Sequence, residues 1–262
     1  MTVKRKINRR ILWPLALGVL GLANVYAQPT DTVEPETRLG AMATKLADTV
    51  QFSVTVHMKY DVLQDSGQMI EFGELRSLQL SRPDYLRIDA QQSDGDIGGL
   101  IFDGTTLTQF SQTDSVYSQI ERPGTVDEVI RYAVGELSVR LPLARLLLSS
   151  FPEQLQRVTT EVDLVETNTL GPEPTDHIAG RTADIDYQVW IGEDNFPTRI
   201  VLSYKNAPGQ PQFRADFSDW NTAPALRKES FNYRAPDDFE KIPVLLPARP
   251  GGESHSVRGG GE

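Results

Sequence analysis

From Phe52 to Phe217 the chain repeats one pattern: short segments in which apolar and polar residues alternate, divided by turn residues. Successive side chains on a strand point to opposite faces, so this pattern requires sheet with one face buried and one face wet. Phe52, Val54, Val56 and Met58 alternate with Ser53, Thr55, His57 and Lys59. Arg76, Leu78 and Leu80 share a face of the next strand, Arg82-Pro83-Asp84 turns the chain, and Leu86 and Ile88 continue on the return. Asp103-Gly104, a strong hairpin signal, lies between Leu100-Ile101-Phe102 and the run from Thr105 to Phe110, and Val116 to Ile120 supplies another strand. Alternation resumes at Val158, Thr160, Val162 and Leu164, at Ile185, Tyr187, Val189 and Ile191, at Ile200, Leu202 and Tyr204, and at Phe213, Ala215 and Phe217. Phe231-Asn232-Tyr233 is a candidate for one last strand. Short strands at this spacing predict a single large antiparallel sheet, a mainly β (α+β) fold.

A one-sided sheet needs a cover. Three segments offer one. Glu34-Pro35-Glu36 opens a helix over about residues 36 to 48, where Leu39, Met42, Ala43, Leu46 and Val50 fall on one apolar stripe. Thr125-Val126-Asp127-Glu128 is a capping box that starts a helix to about residue 134, with Val126, Val129, Ile130 and Ala133 on one face. Pro142 begins a third segment, Leu143 to Leu148, with almost no polar face; it is either buried on nearly all sides or covers a greasy opening. Three short covers over some ten strands leave either a packed core or a pocket for an apolar ligand, and the pattern permits both.

The ends of the chain read differently. Residues 4 to 10, KRKINRR, carry five positive charges and no acid, and lead through an apolar run to Val25-Tyr26-Ala27. Basic stretch, short apolar stretch and small-residue end make a secretory signal peptide over 1–27, cleaved after Ala27, which predicts export to the periplasm. The apolar run is too short to span a bilayer comfortably and contains Pro14. Without residues 1–27 the chain holds 21 basic and 36 acidic residues, a net charge of −15. Nucleic-acid binding and adhesion to an anionic membrane surface are disfavoured at that charge. The domain is read over 28–243, followed by a Pro-, Gly- and Ser-rich disordered tail over 244–262.

Few residues here suit catalysis. With no Cys there is no disulfide, thiol nucleophile or Cys-ligated metal, and His57, His177 and His255 are far apart in sequence. Asp184 and Asp186 belong to the wet side of a strand, and Asp94-Gly95-Asp96-Ile97-Gly98-Gly99 reads as a turn, since it lacks both the further carboxylates of a calcium loop and the Lys of a phosphate loop. No Gly-x-Ser-x-Gly elbow is present. The expectation is a binding protein, not an enzyme, with no cofactor and no metal.

Leu78-Gln79-Leu80-Ser81-Arg82-Pro83-Asp84-Tyr85-Leu86-Arg87-Ile88, followed by Ile101-Phe102-Asp103-Gly104-Thr105-Thr106-Leu107, resembles a pattern of the predicted periplasmic proteins grouped as domain of unknown function two-zero-nine-two. Gln188-Val189-Trp190-Ile191 with Asn195-Phe196-Pro197-Thr198-Arg199-Ile200-Val201-Leu202 is similar to a later signature of that family. Related runs mark the wider superfamily of the lipoprotein carriers LolA and LolB and the mycobacterial lipid carriers. The resemblance extends over roughly Glu36 to Lys241. It implies one antiparallel sheet of about eleven strands, bent into an unclosed half-barrel and lidded by three short helices over a cavity that takes acyl chains. The function expected on this basis is a periplasmic carrier of a lipid, a lipoprotein acyl chain or another apolar ligand. The lining expected is Phe52, Val54, Leu78, Leu80, Leu86, Ile88, Val129, Ile130, Leu143, Leu146 and Leu147. The alternative is a protein-interaction or envelope-stress-sensing module with a periplasmic or membrane-bound protein partner, because a regulator of that kind has the same fold.

Overall fold

The computed structural model describes residues 34–244; the leader read in 1–27, and the tail after its first residue, lie outside the described residues. Twelve strands form one sheet: β1 (Gln51–Leu63), β2 (Met69–Ser81), β3 (Tyr85–Gln92), β4 (Ile97–Phe102), β5 (Thr106–Ser111), β6 (Val116–Glu121), β7 (Glu161–Asn168), β8 (Thr175–Arg181), β9 (Ile185–Ile191), β10 (Pro197–Tyr204), β11 (Gln212–Asn221) and β12 (Glu240–Lys241). Their order is β12-β6-β5-β4-β3-β2-β1-β11-β10-β9-β8-β7. Two antiparallel meanders thus meet at a seam between β1 and β11, and the sheet is unclosed, with β12 and β7 at its edges. Among the described residues only β12 pairs parallel to its neighbour.

Register follows the alternation. Directly opposed residues share a face, and Phe52, Leu80, Leu86, Phe102, Leu107 and Ile120 are opposed in turn from β1 to β6. Across the seam Met58, Ala215, Ile200, Val189 and Ile178 continue the same face from β1 to β8. Gly104 makes the hairpin turn that Asp103-Gly104 predicts, at φ +91°, where a side chain would be strained. Gly180 is needed for another reason: a Cβ there would stand 2.1 Å from the ring of Tyr187.

Three helices lie on this apolar face. In α1 (Pro35–Asp48) Leu39, Met42, Ala43 and Leu46 of the predicted stripe are buried against Ile178, Val189, Ile191 and Ile200 of β8–β10, whereas Val50 lies beyond the helix end and is 63% exposed. In α2 (Val126–Gly135) the capping box is complete: the Thr125 hydroxyl accepts from the Glu128 N–H at 3.3 Å, and the Thr125 N–H donates to the Glu128 carboxylate at 2.8 Å. Its Val129, Ile130 and Ala133 pack on Leu80, Leu86 and Phe102. Each such fully buried side chain contributes about 1.5–3 kcal/mol before entropy is counted.

The third helix departs from expectation. α3 (Phe151–Val158) occupies residues whose end was read as the start of a strand at Val158, and β7 begins only at Glu161. Pro152 presets the first helical turn, and Phe151 and Leu155 fall four apart on the face packed towards α1's cluster. The Leu-rich segment is no regular lid helix; only Ala144–Leu147 forms a single 3-10 turn, preceded by Leu143 at φ +61°. Phe231-Asn232-Tyr233 is not a strand either. Phe231 ends a 3-10 turn, its ring stacks on Tyr85 at 5.2 Å, and the Tyr233 ring stacks on Phe110 at 5.3 Å, so aromatic burial on the sheet's other face wins over strand pairing. The chain then reaches β6 and pairs there as β12.

Candidate functional site

Where β1, β2, β3 and β11 pass beneath residues 141–147, the helix-bearing face keeps a small hollow of about 40 Å³. Its floor is Phe52, Val54, Val56 and Met58 of β1, Leu78 and Ile88 of the next strands, and Phe217 and Trp220 of β11. Its roof is Leu141, Leu143, Leu146 and Leu147. One water needs roughly 10–15 Å³ on this measure, so the space suits a few atoms and no alkyl tail in this conformation. On the same face a second depression, of about 240 Å³, lies between Leu100, Leu107 and Ile120 of the sheet and Leu137 and Val139 of the segment after α2. Residues 137–147 therefore border both spaces.

Of the lining expected from sequence, Phe52, Val54, Leu78, Ile88, Leu143, Leu146 and Leu147 border the hollow. Leu80, Leu86, Val129 and Ile130 do not; they are fully buried between α2 and the sheet, because an α-helix seated on a strand pair leaves no gap. Sequence reasoning missed Val56, Met58 and Phe217 as lining, although the alternation places them on this face, and Trp220, which strict alternation puts on the other face and a register shift in β11 near Asp219, at φ +57°, turns inward. It also missed Arg76, an arginine in register with Leu78 and Leu80.

The roof is held at its ends. Arg82, only 13% exposed, donates from Nη2 to the Leu147 carbonyl at 2.8 Å and lies 3.4 Å from the Asp127 carboxylate. Asp127 in turn accepts from the Ser149 hydroxyl at 2.6 Å and from the Ser149 N–H at 3.1 Å. Burial pulls the Arg82 guanidinium below its ordinary pKa, opposed by the charge of Asp127. At the other end Val139 N–H donates to the Ala133 carbonyl of α2 at 2.8 Å, and Arg140 lies over the Tyr60 ring at 5.1 Å. Between these ends the backbone bonds are local, from Ala144 to Leu141, Leu146 to Leu143 and Leu148 to Arg145. Among the described residues no backbone group of 140–148 bonds to a strand backbone; its one hydrogen bond from a strand comes from the Arg76 side chain of β2, which donates to the Arg140 carbonyl at 3.4 Å.

The groups that drew attention as possible chemistry lie elsewhere. Asp186 sits on the wet face between Arg181 at 3.1 Å and Lys205 at 3.2 Å; burial alone would raise its pKa, but hydrogen bonds from Lys205 and Arg181 bring it below the usual carboxylate value. Asp184 accepts from Asn206, and Asp94 shapes its own turn. His57 is exposed, whereas His177 is buried, stacked on Trp190 at 4.0 Å and bonded through Nε2 to Gln188. His255 lies outside the described residues. No group of three or more His, Asp or Glu is placed to hold a metal ion among the described residues, and no described helix is long and apolar enough to cross a membrane. Two wider depressions, of about 470 and 460 Å³, lie outside the hollow, one between α1, α3 and β7 with Glu36, Glu153 and Glu161 at its border, the other beneath residues 229–239.

A family model described as a predicted periplasmic protein, DUF2092, matches residues 36–245. Among curated proteins nothing matches the chain. Several solved structures are similar to it. The Pseudomonas aeruginosa MucA/MucB complex is 16% identical with a TM-score of 0.42, over 77% of this chain and 61% of that one. This chain thus spans about three fifths of the chain it matches there. The lipoprotein LppX of Mycobacterium tuberculosis is 15% identical with a TM-score of 0.43, over 74% of this chain and 100% of that one. A LolA superfamily protein of Nitrosomonas europaea is 12% identical with a TM-score of 0.36, over 77% and 98%.

Proposed function

We propose, for a chain that belongs to the DUF2092 family of predicted periplasmic proteins, a carrier role without catalysis, in which an apolar chain is held on the helix-bearing face beneath residues 137–148. The exported form, cleaved after Ala27, is part of the proposal. The observation that carries it is the combination of an apolar hollow with a roof whose backbone is bonded to itself and whose ends are fastened by side chains. A helix seated by a full stripe resists removal; a looped roof can lift at the cost of a few side-chain contacts. Because the roof borders both depressions, its lifting would join the 40 Å³ and 240 Å³ spaces into one trough. Each methylene buried there contributes about 0.8 kcal/mol, so a dozen of them outweigh the exposure of a few leucines.

The test is direct. Protein recovered from the periplasm is extracted and its lipids are identified by mass spectrometry, and purified protein is titrated with a fluorescent fatty acid. The carrier role predicts co-purified lipid and saturable fluorescence, and Val54→Trp, which fills the floor, abolishes both while the protein remains folded by circular dichroism. A folded, lipid-free protein that gives no fluorescence gain ends the proposal.

A further inference from the structure

The hollow has one charged wall. Arg76 and Glu74 lie two apart on β2, on the face shared with Leu78 and Leu80, and form an ion pair of 2.7 Å with side chains 12% and 11% exposed. Two withdrawn charges on an apolar face give no stability that two methionines would not supply, since their desolvation offsets their attraction. Something other than stability calls for them. Of the five N–H donors of Arg76, one is given to Glu74 and one, at 3.4 Å, to the Arg140 carbonyl; the rest have no partner among the described residues. Arg140, exposed at the end of the roof, offers Arg76 its backbone carbonyl and carries its own guanidinium over the Tyr60 ring at 5.1 Å. Its charge also reaches Tyr204, whose hydroxyl is pushed up by burial and eased down by Arg140. Glu74 and Arg76 balance each other, and Arg140 brings a further guanidinium to this end of the trough in a strongly acidic chain.

We infer that Arg76 and Arg140 form a headgroup site, so that the ligand is an anionic amphiphile whose tail enters beneath the roof and whose carboxylate or phosphate rests on the two guanidiniums. Guanidinium forks match both anions by paired hydrogen bonds, and partial withdrawal from water strengthens them. The apolar shelf beyond, where Tyr60 and Phe72 stack at 6.1 Å, offers the neighbouring part of the ligand a dry surface. This rests on the carrier role proposed above and goes further by fixing the polar end of the ligand.

Oleate, oleyl phosphate and oleyl alcohol share one tail and differ in the head. Titrated against the full exported chain, the two anions bind at least about tenfold more tightly than the alcohol, and whichever is tighter identifies the head as carboxylate or phosphate. Arg140→Gln, and the paired change Glu74→Gln with Arg76→Gln, which strands no charge, each bring the anions to the level of the alcohol measured on the same variant. Equal binding of all three, or anion binding indifferent to these substitutions, overturns the headgroup site and spares the carrier. Binding of none of the three removes the carrier reading and this inference with it.

Discussion

α1 and the segment 140–148 cover adjoining parts of one sheet face by different means. α1 satisfies its own backbone and seats a continuous stripe, Leu39, Met42, Ala43 and Leu46, on the second meander. The segment 140–148 has one 3-10 turn and a left-handed Leu143, and it hangs between Arg82 at one end and Arg140 at the other. Over β8–β10 the α1 stripe packs directly on Ile178, Val189 and Ile200, and the depression at α1 opens only on its α3 and β7 side. Beneath 140–148 a hollow remains. Covering apolar area and sealing it are therefore separate tasks, and only regular structure with a matched stripe performs the second.

The largest effect should come from breaking the seal. Met42→Ala, at a position 2% exposed, costs about 2–5 kcal/mol of unfolding free energy in denaturant titrations, whereas Leu146→Ala in the looser roof costs well under half of that. Equal losses would erase the contrast between the two covers. Next comes Arg82→Ala, which frees the Leu147 carbonyl and leaves Asp127 without its buried partner; a loss of about 1–3 kcal/mol is expected, with faster amide exchange at residues 146–149 and unchanged exchange in α1. If α1 exchanges equally fast, the roof is not a separate unit. Leu143→Asn suits the left-handed backbone better but gives up apolar contact, so stability moves by no more than about 1 kcal/mol while exchange in 144–148 slows.

The smallest effect concerns the seam between the meanders. The Arg214 guanidinium, bonded to Asp61 at 2.9 Å, holds that carboxyl below its ordinary pKa, against burial that would raise it, with the Gln212 N–H assisting. A carboxyl lowered on folding contributes its full stability above its unfolded pKa and loses it as pH falls through the lowered folded value. Asp61→Asn should flatten that part of the acid limb in pH-dependent melts and leave neutral-pH exchange in the roof untouched.

Much of this was legible beforehand. The alternation in Phe52–Met58, the Arg82-Pro83-Asp84 turn and the Asp103-Gly104 hairpin each translate into local geometry through two or three neighbouring residues, and the structure has them where the pattern placed them. Val158 misled because a strand and a short helix can share an apolar residue at their junction, and Pro152 upstream was the better signal. Tyr233 misled because its partners, Phe110 and Tyr117, are over a hundred residues away in sequence. For the hollow, alternation identified the floor but not which of the floor residues α2 would bury, so Leu80 and Leu86 were counted as lining when they are core.

Period, turn chemistry and capping act within a few residues, and for that reason the sequence by itself determined a one-faced antiparallel sheet, its hairpins and its two amphipathic helices. Which strands meet at the seam, how tightly each cover closes, and that Arg76 reaches the Arg140 carbonyl depend on contacts between residues far apart in the sequence. Those contacts exist only once every element has competed for the same apolar surface, and that competition is decided by the packed tertiary structure.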